Sequence, residues 1–121
     1  MCLSNYKFPR FDLSLTSPPY MNKFDHAQNP FTNYSTKGNG YEAYLEDLQK
    51  IYRQIVALMK PEAKIIVEVS NVKTKEGVTP LAWDVGETLS SILKFEGETV
   101  ICWDNYGLGY DHSYCLIFSD L

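Results

Sequence analysis

Two stretches of the chain repeat apolar residues at the period of a helix. Over residues 41–59 apolar side chains recur every three to four positions, and this period predicts an amphipathic helix. Pro61 should end it, with residues 60–63 forming a tight link to the next element. The same spacing predicts a second helix over residues 81–93, and Gly97 should stop it.

Four shorter stretches have the patterns of strands. Residues 11–17 alternate apolar and polar side chains, whereas residues 64–69 form a β-branched run that is typical of a buried strand. Residues 99–103 and 114–119 follow the second helix. The element order is therefore β-α-β-α-β-β. Each helix can connect two parallel strands, and the last two strands can pair antiparallel because only about ten residues join them. These patterns predict an α/β fold.

Composition limits the class of protein. With 121 residues, of which 45% are hydrophobic and 21% charged, the chain is one globular domain or part of one. No apolar run approaches the length of a membrane span, and the N-terminus lacks the features of a signal peptide. Cys102 and Cys115 lie in predicted strands and are expected to be small core residues, without the spacing of metal ligands. We expect a cytoplasmic protein with no membrane partner.

Charge is distributed unevenly along the chain, whose net charge is −4. Residues 1–40 carry four basic and two acidic side chains, whereas residues 61–121 carry four basic and ten acidic ones. Binding to a nucleic acid requires a basic surface that neutralises phosphates. If DNA or RNA is the substrate, most of the phosphate contacts must therefore come from elsewhere.

The segment Ser17-Pro18-Pro19-Tyr20 directly follows the first predicted strand. Neither proline has a backbone N–H, so the sheet ladder stops here, and ligands of open α/β sheets bind at the carboxyl ends of strands. A simple strand-ending turn is the alternative interpretation. The segment resembles the catalytic motif (Asp/Asn/Ser)-Pro-Pro-(Tyr/Phe/Trp) of S-adenosylmethionine-dependent amino-methyltransferases. Its serine form looks most like the N4-cytosine branch of the DNA modification methylases.

The element order also resembles that family. It is similar to the second half of the class I methyltransferase fold, from the fourth to the seventh strand, with the seventh antiparallel. The resemblance implies that residues 1–121 are a single partial methyltransferase domain, the catalytic half of a Rossmann-like sheet. The glycine-rich turn of the cofactor half has no match, since residues 38–40 follow a loop and residues 107–109 lead into a strand. The S-adenosylmethionine site is therefore expected to be incomplete in this chain.

The family resemblance assigns roles to the residues of the motif. It implies methyl transfer to an exocyclic amino group of a DNA base, cytosine N4 in the first place, as in restriction-modification systems. The Ser17 hydroxyl and the Pro18 carbonyl would accept hydrogen bonds from the amino group and would also lie next to the cofactor. Tyr20 would stack on the extruded base. Pro19 completes the implied catalytic set.

Outside the motif the sequence offers weaker candidates. By resemblance, Tyr110 and His112 border the pocket for the base. A general-base pair of Asp111 and His112 is disfavoured, because adjacent residues of a strand face opposite ways. Glu68 and Asp84 are expected to be lone acids without partners, in surface or structural roles.

Several alternatives stay open. The target could instead be adenine N6, a guanine amino group in RNA or a glutamine side chain in a protein. A second hypothesis is a non-catalytic, methyltransferase-like half-domain that needs a partner subunit. Half a sheet would expose a strand edge, so we expect either a homodimer through that edge or a complementary methyltransferase half as partner.

Overall fold

A mixed sheet of four strands forms the centre of the structure. The computed structural model describes residues 3–18, 40–74, 77–102 and 112–121. Neither helix within these ranges is long and apolar enough to cross a membrane. In chain order, the elements are a single 3₁₀ turn (Leu3–Asn5), β1 (Phe11–Thr16), α1 (Gly40–Ala57), β2 (Met59–Val69), the hairpin strands β3 (Val72–Thr74) and β4 (Gly77–Thr79), α2 (Leu81–Ser90), β5 (Lys94–Cys102) and β6 (His112–Ser119).

The strands lie in the spatial order β1-β2-β6-β5. β1 and β2 are parallel, and β6 runs antiparallel to both of its neighbours, β2 and β5. The predicted α/β architecture and the antiparallel last strand are therefore confirmed. Because β6 runs the opposite way, its first residues lie at the same edge of the sheet as the carboxyl ends of β1 and β2. That edge brings together the residues of the candidate site.

Both helices pack on one face of the sheet through their apolar stripes. In α1, Tyr44, Leu48 and Tyr52 recur every fourth residue and are buried, as the helical period predicted. In β2 every second side chain from Ala63 to Val69 is buried on this same face. The sheet side of the core is completed by β6. The buried residues of α2 and β6 in this core are Leu81, Ala82, Val85, Leu89, Leu116 and Phe118.

The sequence predicted that Pro61 ends α1 and separates it from β2, and this prediction was wrong. β2 already begins at Met59, so Pro61 lies inside the strand. The pairing of β1 with β2 jumps from Phe11 opposite Met59 to Leu13 opposite Lys64. The intervening residues of β2 bulge out of the ladder, where a missing N–H costs no hydrogen bond.

Gly97 does not stop α2 either, because it lies within β5. It sits at a shift in the pairing of β5 with β6 and has a φ of 141°, a conformation that favours glycine.

Cys102, at the end of β5, is exposed and Cys115 is half-buried, so the expectation that both belong to the core was wrong. β5 is an edge strand, which leaves part of its side chains open to solvent. The hairpin β3–β4 occupies a segment that the sequence predicted as a loop.

Two tyrosines of α1 should respond oppositely to loss of their hydroxyl group. The Tyr52 hydroxyl is buried and finds no hydrogen-bond partner among the described residues, whereas Tyr41 donates to Asp84 Oδ2 at 2.6 Å. We expect Tyr52→Phe to raise the free energy of unfolding by about 1 kcal/mol and Tyr41→Phe to lower it by about 1 to 2 kcal/mol. Urea unfolding at pH 7 measures both. A loss of stability in Tyr52→Phe would contradict the assignment of an unsatisfied hydroxyl.

The same pair should make the chain sensitive to alkali. Burial raises the pKa of Tyr52 above its ordinary value, and burial together with the hydrogen bond to Asp84 raises that of Tyr41. Above about pH 10 the unfolded chain therefore loses these protons first, and stability falls as the pH rises. We expect this fall to be smaller in the double variant Tyr41→Phe/Tyr52→Phe. Thermal unfolding between pH 8 and pH 11 tests it, and an unchanged slope would contradict it.

Candidate active site

Ser17 lies at the carboxyl end of β1 with its side chain exposed, and the next residue, Pro18, is buried. Thr16 pairs with Val67 in the parallel ladder, so Ser17 comes opposite Glu68 of β2. The Ser17 hydroxyl donates a hydrogen bond to Glu68 Oε2 at 3.0 Å. The predicted site residue is therefore held by a carboxylate of the neighbouring strand and stays accessible from outside.

Glu68 connects three strands at this edge. Its second oxygen, Oε1, accepts a hydrogen bond at 2.9 Å from the hydroxyl of Ser113, which is fully buried in β6. Burial, and secondly the negative charge of Glu68, raises the pKa of the Cys115 thiol, which lies opposite Glu68 in the ladder. Glu68 was predicted to be a lone acid, and this prediction was wrong. The sequence did contain one signal for this contact. Side chains alternate along a strand, so Glu68 had to lie on the opposite face of β2 from Val67, and β2 runs beside β1.

Asp84 was also expected to lack a partner, which was wrong as well. It lies in the first turn of α2 and accepts the hydrogen bond from Tyr41 at the start of α1. The contact joins the N-terminal ends of the two helices. A further contact anchors α2 to the sheet, because the side chain of Asn71, after β2, accepts a hydrogen bond from the Ala82 amide at 2.9 Å. Both contacts support a structural role for this corner of the fold.

His112 is the first residue of β6 and is half-buried. Its Nε2 lies 3.0 Å from the Tyr114 hydroxyl, and its backbone carbonyl accepts a hydrogen bond from Ser70 at 2.9 Å. The ring of Tyr114 packs against Trp83 of α2, with ring centroids 4.8 Å apart. Alternation along β6 places His112 on the helix-bearing face and Ser113, with Glu68, on the other. His112 and Ser17 thus share an edge of the sheet but extend from opposite faces.

The remaining predicted site residues, Pro19, Tyr20 and Tyr110, lie outside the described residues. Their roles in binding or stacking a base stay predictions. The geometry of the candidate site therefore rests on Ser17, Pro18 and the partners of Ser17.

Solved structures of similar fold exist, although no protein-family model and no curated protein matches the chain. Three crystal structures of a candidate DNA modification methylase from Thermus thermophilus superpose with TM-scores of 0.67, 0.67 and 0.70, at 20%, 20% and 21% identity. One of them is a complex with S-adenosyl-L-methionine. The chain shares the fold of part of this Thermus chain. Each superposition covers 93% of this chain, which spans about half of the Thermus chain, 47% or 48%.

S-adenosylmethionine, the cofactor in the Thermus complex, has a reacting end and a larger nucleoside body, and the described residues of this chain can be compared with each part. The exposed Ser17 hydroxyl offers an acceptor at the carboxyl edge, where a reacting group could lie, and the buried Pro18 follows it. The described connections from β2 to β3 and from β4 to α2 contain no glycine-rich turn into a helix, the arrangement that would hold the body of such a cofactor. β2 leads through Ser70 and Asn71 into the hairpin, and Pro80 precedes α2. Among the described residues, Ser17 therefore fits the reacting end of such a cofactor, and none of the described connections fits its body.

Proposed function

We propose that this chain is the catalytic half of an S-adenosylmethionine-dependent methyltransferase that modifies an exocyclic amino group of a DNA base, with cytosine N4 as the first target. One observation carries the proposal. The Ser17 hydroxyl, exposed at the carboxyl end of β1 and directly before two prolines, is held by Glu68 in a methyltransferase fold. The fold supports the class of reaction, and the Ser-Pro-Pro-Tyr form of the motif favours cytosine N4.

The hydrogen bond to Glu68 makes the Ser17 hydroxyl an acceptor toward the substrate, which is the role that the reaction needs. The amino group of a base is a weak nucleophile because its lone pair is delocalised into the ring. A hydroxyl can act as donor or acceptor, but the Ser17 proton is directed to Glu68, so its lone pairs remain to accept an N–H. The Pro18 carbonyl would accept the second N–H. Together these two bonds would draw the nitrogen toward tetrahedral geometry and free its lone pair.

Glu68 can also accept, through Ser17, the proton that the nitrogen must lose. S-adenosylmethionine, when bound, supplies the electrophilic methyl group. When the nitrogen takes the methyl group, the sulfonium C–S bond would break and leave S-adenosylhomocysteine as a neutral thioether. The amino proton would then pass to Ser17 Oγ and the Ser17 proton to Glu68 Oε2, leaving a neutral carboxyl group. Ser17 thus orients the substrate and relays the proton, while the carboxylate of Glu68 is the base. Ser113 fixes that carboxylate from its other oxygen.

The proposal is tested in the organism that encodes the chain, where any natural partner is present. The reading frame is deleted, and nucleosides from the genomic DNA are measured by mass spectrometry. We expect N4-methylcytosine to disappear and to return with the wild-type gene but not with Ser17→Ala. Loss of N6-methyladenine instead would move the target to adenine. If no DNA base, RNA guanine or protein glutamine loses a methyl group, the chain is a non-catalytic half-domain and the proposal fails.

S-adenosylmethionine should bind poorly to this chain by itself. The described residues offer a polar group only for the reacting end, so we expect a dissociation constant above about 1 mM, a binding free energy weaker than about −4 kcal/mol. Isothermal titration measures it, with S-adenosylhomocysteine as a second titrant that lacks the methyl group. A micromolar constant for either compound would contradict the expectation and indicate a self-sufficient cofactor site.

A further inference from the structure

A groove lies between α2 and the edge strand β5, on the face of the sheet that carries the helices. It has a volume of about 250 Å³, and its lining includes Trp83, Gly86, Glu87, Phe95 and Glu98. Two of these side chains are aromatic rings open to solvent, since Trp83 is 54% and Phe95 45% exposed. A cavity of this volume is smaller than most small-molecule sites and suits single side chains of a peptide. We call it the α2–β5 groove.

The shift in the pairing of β5 places three of its side chains along this groove. The partners of Phe95, Glu98 and Val100 are every second residue of β6 from Phe118 to Tyr114. Alternate residues of a strand face the same side, so these three side chains share the helix-bearing face. Without the extra residue at the shift, Phe95 and Glu98 would face opposite ways. β5 thus presents an apolar, an acidic and an apolar position in turn, and Val100 is 49% exposed.

α2 presents the same order of side chains on the other wall. Trp83 packs against Tyr114, the cross-strand partner of Val100, with ring centroids 4.8 Å apart. Trp83 therefore lies at the Val100 end of the groove. Glu87 is exposed one helical turn further on, and it lines the groove together with Glu98. Two carboxylates consequently lie between two apolar ends.

The charge of the groove is negative. Among the described residues that line it, none is basic. Lys94 precedes Phe95 but extends to the other face, where its Nζ lies 3.8 Å from Glu96 Oε1. Residues 61–121 as a whole carry ten acidic and four basic side chains. Such a surface repels phosphates and attracts cations, so it favours a basic peptide over a nucleic acid.

The backbone next to the groove is open as well. β5 is a terminal strand of the described sheet, so its outer N–H and C=O groups have no neighbouring strand there. Residues 99–102 carry no charged side chain of the kind that usually protects a strand edge. A groove beside a free edge suits an extended peptide, whose backbone pairs with the strand while alternate side chains enter the groove.

We propose that the α2–β5 groove binds an extended, basic segment of another protein, which adds a strand to β5. Its core sequence is apolar–any–basic–any–apolar, because a strand directs every second side chain to the same face. One apolar side chain packs between Trp83 and Val100, and the other packs on Phe95. The basic side chain lies between Glu87 and Glu98. This edge of the sheet is opposite to β1, and the inference holds whatever reaction the chain performs.

A second copy of this chain fits the groove less well. Two copies that pair through β5 would be related by a two-fold axis, which gives both the same contacts. The carboxylates of Glu87 and Glu98 from both copies would then meet at one interface without a basic partner. Like charges that face each other across strands are destabilising.

The first test exchanges charges between the groove and a peptide. The probe is the heptapeptide Thr-Leu-Thr-Arg-Thr-Leu-Thr, blocked at both ends, and fluorescence polarisation measures its binding to the intact chain. We expect a peptide with Glu in place of Arg to bind at least about tenfold more weakly. Glu87→Lys/Glu98→Lys should reverse this preference, and binding of the Glu peptide then shows that the variant is folded. Glu46→Lys/Glu62→Lys makes the same change in net charge at exposed positions elsewhere and should keep the original affinity within about twofold.

The second test concerns the added strand. Alternate N–H groups of an extended peptide face opposite edges, so only one set can pair with β5. Two versions of the peptide are compared, one N-methylated at Leu and Arg and the other at Thr. We expect one version to bind at least about tenfold more weakly than the parent peptide and the other to bind within about threefold of it.

Four results would overturn the proposal. The first is the absence of saturable binding below about 1 mM for the Arg peptide. The second is equal binding of the Arg and Glu peptides, which would remove the role of the two carboxylates. The third is an equal effect of both N-methylations, which would mean that no strand is added. The fourth is a dimer of the chain alone that Val100→Arg dissociates, which would assign the groove to a second copy.

Discussion

Phe118→Ala should lower the free energy of unfolding by about 3 to 5 kcal/mol. Phe118 is fully buried in β6, the strand that lies between β2 and β5, and it pairs with Ile65 on one side and with Phe95 on the other. Its loss leaves a cavity between the sheet and the helices, because strands hydrogen-bonded on both edges cannot close the gap. Guanidinium unfolding followed by circular dichroism measures the change. Since domains of this size are stable by about 5 to 15 kcal/mol in total, the variant should be close to unfolding.

Phe95→Ala is the matched control. The two rings are neighbours, with centroids 5.5 Å apart, but Phe95 lies on the edge strand and is 45% exposed. It should lose about 1 kcal/mol, the order expected for an aromatic pair contact with limited burial. Equal losses in the two variants would mean that β5 and β6 are buried alike, which would contradict the edge position of β5. A small loss in both would indicate that the core rearranges around Phe118.

The periodic parts of the fold could be predicted from the sequence because burial imposes the period. The apolar stripe of α1 repeats every fourth residue, since only one side of the helix meets the sheet. β2 reads as a β-branched run because Ile65, Val67 and Val69 are buried and Ile66 on the other face is half-buried. The antiparallel last strand followed from the short connection. These features depend on residues that are close together in the sequence, so a local sequence pattern predicts them.

Features that depend on a partner strand were predicted wrongly. Pro61 and Gly97 normally interrupt elements, yet both lie inside strands, where a shift in pairing tolerates them. Whether a ladder shifts is decided by the register with the neighbouring strand, which no local pattern reveals. The hairpin β3–β4 has three residues in each strand, too few for alternation to be distinguished from a polar loop.

The candidate site likewise contains one residue that a local motif identifies and others that only the structure reveals. Ser17 was found through its motif, which is contiguous in the chain. Glu68, the partner that directs its proton, is 51 positions away, and Asp84 is 43 positions from Tyr41. Both acids looked isolated because the residues around them in sequence are not those around them in space. Charged residues that occur singly in apolar elements are therefore the positions where a structure adds most to a sequence-based site.

Ser17→Ala and Glu68→Gln should each lower the rate of methyl transfer by about 100-fold, and the double variant should lose little more than either single one. The two side chains act as one unit in the proposed mechanism, since Ser17 accepts the amino proton only while Glu68 takes the Ser17 proton. Loss of a positioned proton acceptor typically costs 10²-fold or more. Residues that act as a unit give strongly non-additive losses. The measurement is the initial rate of transfer of labelled methyl groups to DNA, in extracts of the deletion strain that expresses each variant.

A second serine–glutamate pair in the same sheet provides the control for this cycle. The Ser119 hydroxyl donates to Glu96 Oε1 at 2.6 Å at the other end of β6, and this bond is the main cause that lowers the pKa of Glu96. Ser119→Ala and Glu96→Gln repeat the two chemical changes far from the carboxyl edge, so the rate should stay within about twofold of the wild type. Additive losses at Ser17 and Glu68 would contradict a shared proton path. A full rate in Glu68→Gln would reduce Glu68 to a structural contact and leave Ser17 to act through orientation alone.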